Sequence, residues 1–120
     1  MTEPPASPAE RVRRLSPQPP ARRTPYLRIY QPSRHQLRLD FSGDVDQWSR
    51  PLLAAALNAA EAAPRADILI DLGDTTALYD VTLKTFSDIR THAELHSRSL
   101  TFIRLSEAAL RTFDLRKFAY

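Results

Sequence analysis

The sequence predicts an α/β domain: a mixed, mainly parallel sheet of four to five strands flanked by helices, with elements in the order ββαβαβα. Three observations lead there. Two stretches alternate polar and apolar residues around a turn signal. The apolar spacing then changes to three and four, and two later apolar runs are separated from each other by a helical stretch.

Taken in order, "PYLRIYQ" alternates, "PSRH" turns the chain, and "QLRLDF" alternates again with Leu37, Leu39 and Phe41 on one face, so an antiparallel pair is expected. After "SGDVDQW", Ser49 is placed to cap a helix with Pro51 in its first turn, and Leu52, Leu53, Ala56, Leu57 and Ala60 recur at helical spacing until Pro64 stops it. "ADILIDL" reads as a strand covered on both faces, because Ile68, Leu69, Ile70 and Leu72 are nearly continuous. Leu83, Phe86, Ile89 and Ala93 mark an amphipathic helix over about residues 81–97. "LTFIRL" is the next buried strand, and Ser106 caps a last helix with Leu110 and Phe113 facing inward and Leu115 and Phe118 closing over the core. Helices between the later strands require crossover connections, which makes the sheet mainly parallel with one antiparallel member. In such sheets ligands and partners meet the carboxyl ends of the strands, here the junctions "GDVDQW" and "GDTTALYD".

Eight of the ten prolines fall at or before Pro32, and residues 1–24 show neither helical nor strand periodicity; they are expected to be a disordered Pro/Arg-rich arm, with the domain over residues 25–120. The whole chain carries a net charge of +3, and residues 1–25, with five Arg and two Glu, account for all of it. A basic domain face for nucleic acid is therefore not expected, and any attraction to polyanions resides in the arm. There is no cysteine, hence no disulfide framework or thiolate metal site. No apolar run approaches the roughly 20 residues of a membrane span, and the first residues lack the apolar core of a signal peptide, so a cytoplasmic protein is expected.

Catalysis is not expected either. With two glycines and three histidines, the sequence presents no nucleophile with a base, no carboxylate pair set in a cleft and no phosphate-binding glycine loop, and no cofactor is implied. Asp88, His92 and His96 share a helix face, but with no cysteine and no fourth ligand nearby they read as surface contacts and not as a zinc site. Leu95 falls on the outer face of the same helix, a hint of a protein contact there.

The runs "LRLDFSGDVDQWSRPLLAAAL", "ADILIDLGDTTALYD" and "LTFIRLSEAALRTFDL", in this order and spacing, resemble the STAS family, the domain shared by anti-sigma factor antagonists and the cytoplasmic tails of sulfate transporters. The likeness covers roughly residues 26–118 and rests on a Gly-acid-x-Asp turn at Gly43 to Asp46, an apolar strand ending in Asp71, and the aromatic-Asp pair Tyr79 and Asp80. The resemblance implies a non-catalytic regulatory adaptor whose partner is an anti-sigma factor, a serine/threonine kinase of ATPase fold. It implies contacts through Asp44, Asp46, Trp48, Tyr79, Asp80, Val81, Thr82 and Thr85. The alternative it leaves open is a structural STAS subunit of a membrane transport complex, without phosphorylation.

Antagonists of that family carry Asp-Ser-Ser-Gly-Leu at the second junction, with a phosphorylated serine. Anchored on the strand, Asp80 matches the Asp, Val81 replaces the first Ser and Thr82 stands at the phosphorylated position; anchored on the helix, Leu83 matches the Leu and Thr82 falls on the Gly. Both alignments lose the motif glycine. Thr82 is thus the phosphorylation candidate, with Thr85 and Ser87 weaker ones. Periodicity supplies a competing reading, in which an ideal helix tucks the Thr82 hydroxyl inward and Asp80 is the N-cap, accepting from the N–H of Thr82 or Leu83. Asp44 and Asp46 either stabilise their turn or orient a basic group of the partner, and Trp48, the one tryptophan, is a lid over the core edge or a contact residue.

Overall fold

The computed structural model describes residues 21–120; residues 1–20 of the predicted arm lie outside the described part. Strands β1 (Tyr26–Ser33) and β2 (Gln36–Val45) form the predicted hairpin. A one-turn 3-10 segment, Gln47–Ser49, leads into helix α1 (Arg50–Glu61). Then follow β3 (Asp67–Leu78), α2 (Val81–Leu95), β4 (Leu100–Leu105) and α3 (Glu107–Arg116). The sheet order is β1-β2-β3-β4, with β1 antiparallel to β2 and both later pairs parallel.

Register decides which face is covered. Leu37 pairs with Ile68, Leu39 with Ile70, and Ile70 with Phe102, so these side chains share one face of the sheet. Onto that face pack Leu53, Ala56 and Ala60 of α1, Leu83, Phe86, Ile89 and Ala93 of α2, and Ala109 and Phe113 of α3, all buried. Phe86 sits at the centre, edge-on to Phe41, Phe102 and Phe113 at centroid distances of 5.7, 5.5 and 6.5 Å.

Among the described residues no helix covers the other face, which corrects the expectation that β3 is covered on both sides. Leu69, the residue that makes its apolar run look continuous, lies on this open face and is half-buried. β4 is an edge strand, with half-buried Leu100 and Phe102 alternating with exposed Thr101 and Ile103, and not a buried one. On the open face an ion network takes the place of a second layer. Arg38 donates to Asp40 at 2.7 Å and to Asp71 at 2.9 Å, while Arg104 Nε lies 2.9 and 3.0 Å from the two Asp71 oxygens. Asp71 is only 2% exposed. Burial pushes its carboxyl up, but the Arg104 hydrogen bond, the Gly73 N–H and the two guanidinium charges outweigh that and leave it below the ordinary carboxylate range. A Cβ at Gly73 would lie 2.6 Å from Arg104 Cζ, so a larger residue there would make the guanidinium shift from its place on Asp71.

At the C-terminal end the sequence reading holds for Phe113 and Phe118 and fails for Leu110 and Leu115. Lys117 adopts the left-handed conformation (φ 54°) and its neighbour Phe118 donates to the Phe113 carbonyl at 2.8 Å, which turns the chain back and brings Phe118 onto the core. Ala109 and Phe113 already fill the inner stripe of this short helix, so Leu110 and Leu115 point outward, Leu115 at 74% exposure.

Candidate functional site

β3 does not end at Asp71 but runs on to Leu78, because Asp74, Thr75, Ala77 and Leu78 pair with the last residues of β2. Val45 lies opposite Leu78, and the Tyr79 N–H donates to the Val45 carbonyl at 3.0 Å. The two junctions singled out in the sequence, 43–48 and 79–86, therefore leave the sheet side by side from the carboxyl ends of adjacent parallel strands.

The first junction is held by side chains. Asp46, in an extended conformation, accepts from the Trp48 N–H at 2.9 Å, and the Ser49 hydroxyl accepts in return from the Asp46 N–H at 3.1 Å. Ser49 thus does not cap α1 on its own, as the sequence suggested; its hydroxyl is engaged by Asp46, and it makes no side-chain cap to the helix. Asp46 also receives the Arg22 guanidinium in a two-pronged pair, Nε to Oδ2 at 2.7 Å and Nη2 to Oδ1 at 3.0 Å. The Arg22 hydrogen bond holds the Asp46 carboxyl below the usual carboxylate range, against the opposing effect of burial and with help from the Trp48 N–H. Asp44 accepts from the Arg23 N–H at 2.8 Å and from the Thr76 hydroxyl at 2.5 Å, while its own N–H donates to the Arg23 carbonyl at 2.9 Å. Trp48 is left 72% exposed, so it is not a lid over the core.

The second junction is built differently. Asp80 has helical dihedrals (φ −62°, ψ −23°), which prevent its carboxylate from folding back on the first amides; it makes no cap. Its partner is instead Arg116 at the end of α3, at 2.7 Å, with both side chains about half exposed. The Tyr79 carbonyl satisfies the helix start, accepting from the Thr82 N–H at 3.0 Å and from the Thr82 hydroxyl at 2.7 Å. Thr82 is 0% exposed. The inward orientation that periodicity predicts is thus the one adopted, and the hydroxyl that the alignment picked out for phosphorylation is not presented to solvent in the folded chain. Tyr79 and Val81 are exposed, at 53% and 36%, and Thr85 is half-buried one turn further on.

A groove of about 670 Å³ opens beside this rim, walled by Arg23, Asp44, Thr76, Tyr79, Glu107 and Arg111. Its floor includes Thr75 and Ser106, whose hydroxyls lie 2.6 Å apart. Ser106 caps α3 as predicted, accepting from the Ala109 N–H at 3.0 Å. Sequence reasoning did not foresee the roles of Arg22, Arg23 and Arg116. The signal for the first two was an Arg-Arg pair followed by Thr-Pro just ahead of a strand whose partner ends in two acids; Arg116 left none.

The His92 and His96 rings lie 4.5 Å apart between centroids, but Asp88 is engaged elsewhere. Asp88 accepts from Lys84 at 3.2 Å, the His96 ring nitrogen faces the His92 carbonyl at 2.9 Å, and among the described residues no three His, Cys, Asp or Glu side chains are placed to hold a metal ion. Leu95 is 77% exposed, on the outer face as predicted. No helix of the described residues is long and apolar enough to cross a membrane.

No protein-family model matches the sequence, and no curated protein does. Solved structures do match the fold. The anti-sigma factor antagonist SpoIIAA in its unphosphorylated form superimposes with a TM-score of 0.66 at 11% identity, over 77% of this chain and 81% of that one. An anti-sigma factor antagonist from Mycobacterium paratuberculosis superimposes with a TM-score of 0.66 at 20% identity, over 78% of this chain and 79% of that one. The chain has the STAS fold of these antagonists, with its ββαβαβα order and mainly parallel four-stranded sheet.

Proposed function

We propose that this chain is a non-catalytic regulatory docking module of the anti-sigma factor antagonist kind, acting in the cytoplasm, and that it meets its partner on the rim formed by residues 43–48 and 79–85. The partner class is the one the resemblance implies, an anti-sigma factor with a serine/threonine kinase domain of ATPase fold. The observation that carries this reading is the Tyr79–Val45 hydrogen bond, which joins the two junctions at the carboxyl ends of the central strands, where the aromatic side chains of Trp48 and Tyr79 are both exposed. Large aromatic surface beside well-fixed polar groups is the composition of an interface hot spot.

In this reading Thr82 is a structural hydroxyl. A phosphate on it requires the first turn of α2 to unwind, since the oxygen is buried and already donates to Tyr79. The same burial supports a second reading, a STAS subunit of a membrane transport complex, in which no kinase acts and the rim is a permanent contact.

The test is a photo-cross-linking amino acid at position 79 in the host cell, with the same group at position 95 as a second site. The rim reading expects an adduct with one protein from position 79 that falls about tenfold in a Trp48→Ala chain, the loss of a hot-spot contact. The identity of the adduct, an anti-sigma kinase or a transport component, separates the two readings. An adduct formed equally from position 95, or one indifferent to Trp48→Ala, moves the docking surface elsewhere.

A further inference from the structure

The rim acids are already occupied by the chain itself. Arg22 takes both oxygens of Asp46, and Arg23 exchanges two hydrogen bonds with Asp44 through its N–H and carbonyl. The following residue passes so close to Gly43 that a Cβ there would run into the Thr24 carbonyl, and would lie 3.1 Å from Pro25 Cα. Gly43 itself sits at φ 77°, in the left-handed region. These contacts form a built seat for residues 22–24, laid across the first junction and forming one wall of the groove that Tyr79 borders.

The seat is a shallow one. Residues 21–24 are all exposed, form no strand, and place no apolar side chain in the core; what holds them is one two-pronged ion pair and the two Arg23–Asp44 hydrogen bonds, one to the Asp44 carboxylate and one from its N–H. Such a segment belongs to the low-stability end of a domain, able to open without unfolding the rest. Asp46 does not depend on it for its other task, because the Trp48 N–H and the Ser49 hydroxyl still engage that carboxylate when Arg22 leaves.

We propose that residues 22–24 are an autoinhibitory strap, closed on Asp44 and Asp46 in the free protein, whose release opens the acid pair and the groove wall to the docking partner. The proposal rests on the docking reading above and names the regulation of that same rim. A partner that binds only the open form sees its affinity divided by the fraction of chains that are open, so a strap closed nine times in ten lowers apparent affinity about tenfold. Regulation then resides in a displaceable arginine segment, and the buried Thr82 need not be reached.

Two measurements on the full chain decide it. The first needs no partner: trypsin cleavage after Arg22 and Arg23 is followed by mass spectrometry, with cleavage after Arg34, in the exposed β1–β2 turn, as the internal reference. When opening is fast relative to cleavage, the rate reports the open population. Asp46→Asn keeps a capping acceptor for Trp48 and loses the ion pair. It is expected to raise cleavage after Arg22 and Arg23 about tenfold relative to Arg34, and 0.5 M salt acts in the same direction on the wild type. An unchanged ratio overturns the strap.

The second measurement is the position-79 cross-link in an Arg22→Ala chain, expected to rise several-fold. An equal yield, or a reduced one, shows that the segment does not obstruct docking, and overturns the proposal while leaving the rim reading in place. No adduct from either chain sinks the rim reading and the gate together.

Discussion

The two junctions of the rim solve the same problem, the start of a helix at the end of a parallel strand, by opposite means. At the first, an extended Asp46 caps the turn with its side chain, and that carboxylate gathers Trp48, Ser49 and Arg22 around it. At the second, Asp80 is already helical, its side chain is turned away to Arg116, and the work passes to a buried threonine bonded to the preceding carbonyl. One junction is fixed by a nearly buried carboxylate that reaches solvent through its exposed partner Arg22; the other is fixed by packing against the core. The first can therefore be opened by a neighbour, whereas the second opens only with its helix.

The sharpest way to test this difference is at Thr82. A Thr82→Glu chain forces a carboxylate into a site with no exposure, a cost of roughly 3 kcal/mol or more. It is expected to lower the unfolding midpoint in urea by a large fraction, and a Thr82→Glu chain as stable as wild type would show that this junction is not core-fixed. At the first junction, Asp46→Ala removes a cap and should cost about 1 kcal/mol. That contribution depends on pH: because the folded Asp46 carboxyl titrates below its unfolded counterpart, the stability it adds is complete above the ordinary carboxylate range, near 4, and disappears as pH falls through the folded value. The difference between wild type and Asp46→Asn in urea melts should accordingly shrink between about pH 5 and pH 2, and a constant difference would detach the effect from this carboxylate. The smallest effect is expected for Asp80→Ala, no more than about 0.5 kcal/mol, since the Asp80–Arg116 pair is half exposed on both sides. A loss well beyond that would mean Asp80 serves the helix start after all.

Much of this was legible in the chain. The change from period two to spacings of three and four fixes the order of strands and helices, the 100° step turns Thr82 toward Leu83 and Phe86, and Ser106 stands where a cap is needed. The Asp80 cap was misread because a cap requires extended dihedrals, and residue type alone does not reveal that the turn after Leu78 is already helical. β3 was misread as doubly covered because its hydropathy does not distinguish a second layer of helices from an ion network over Leu69 and Asp71.

By itself, then, the sequence determined what neighbours along the chain decide: element order, the buried stripe of α2, and the emergence of residues 43–48 and 79–86 at the strand ends of a parallel sheet. Only the tertiary structure decided which charges meet. Arg22 reaches Asp46 across 24 residues, and Arg116 comes to Asp80 from a different helix. The reason is that periodicity carries information over one or two turns, whereas an ion pair between distant residues forms only after sheet register and crossovers have brought their backbones together.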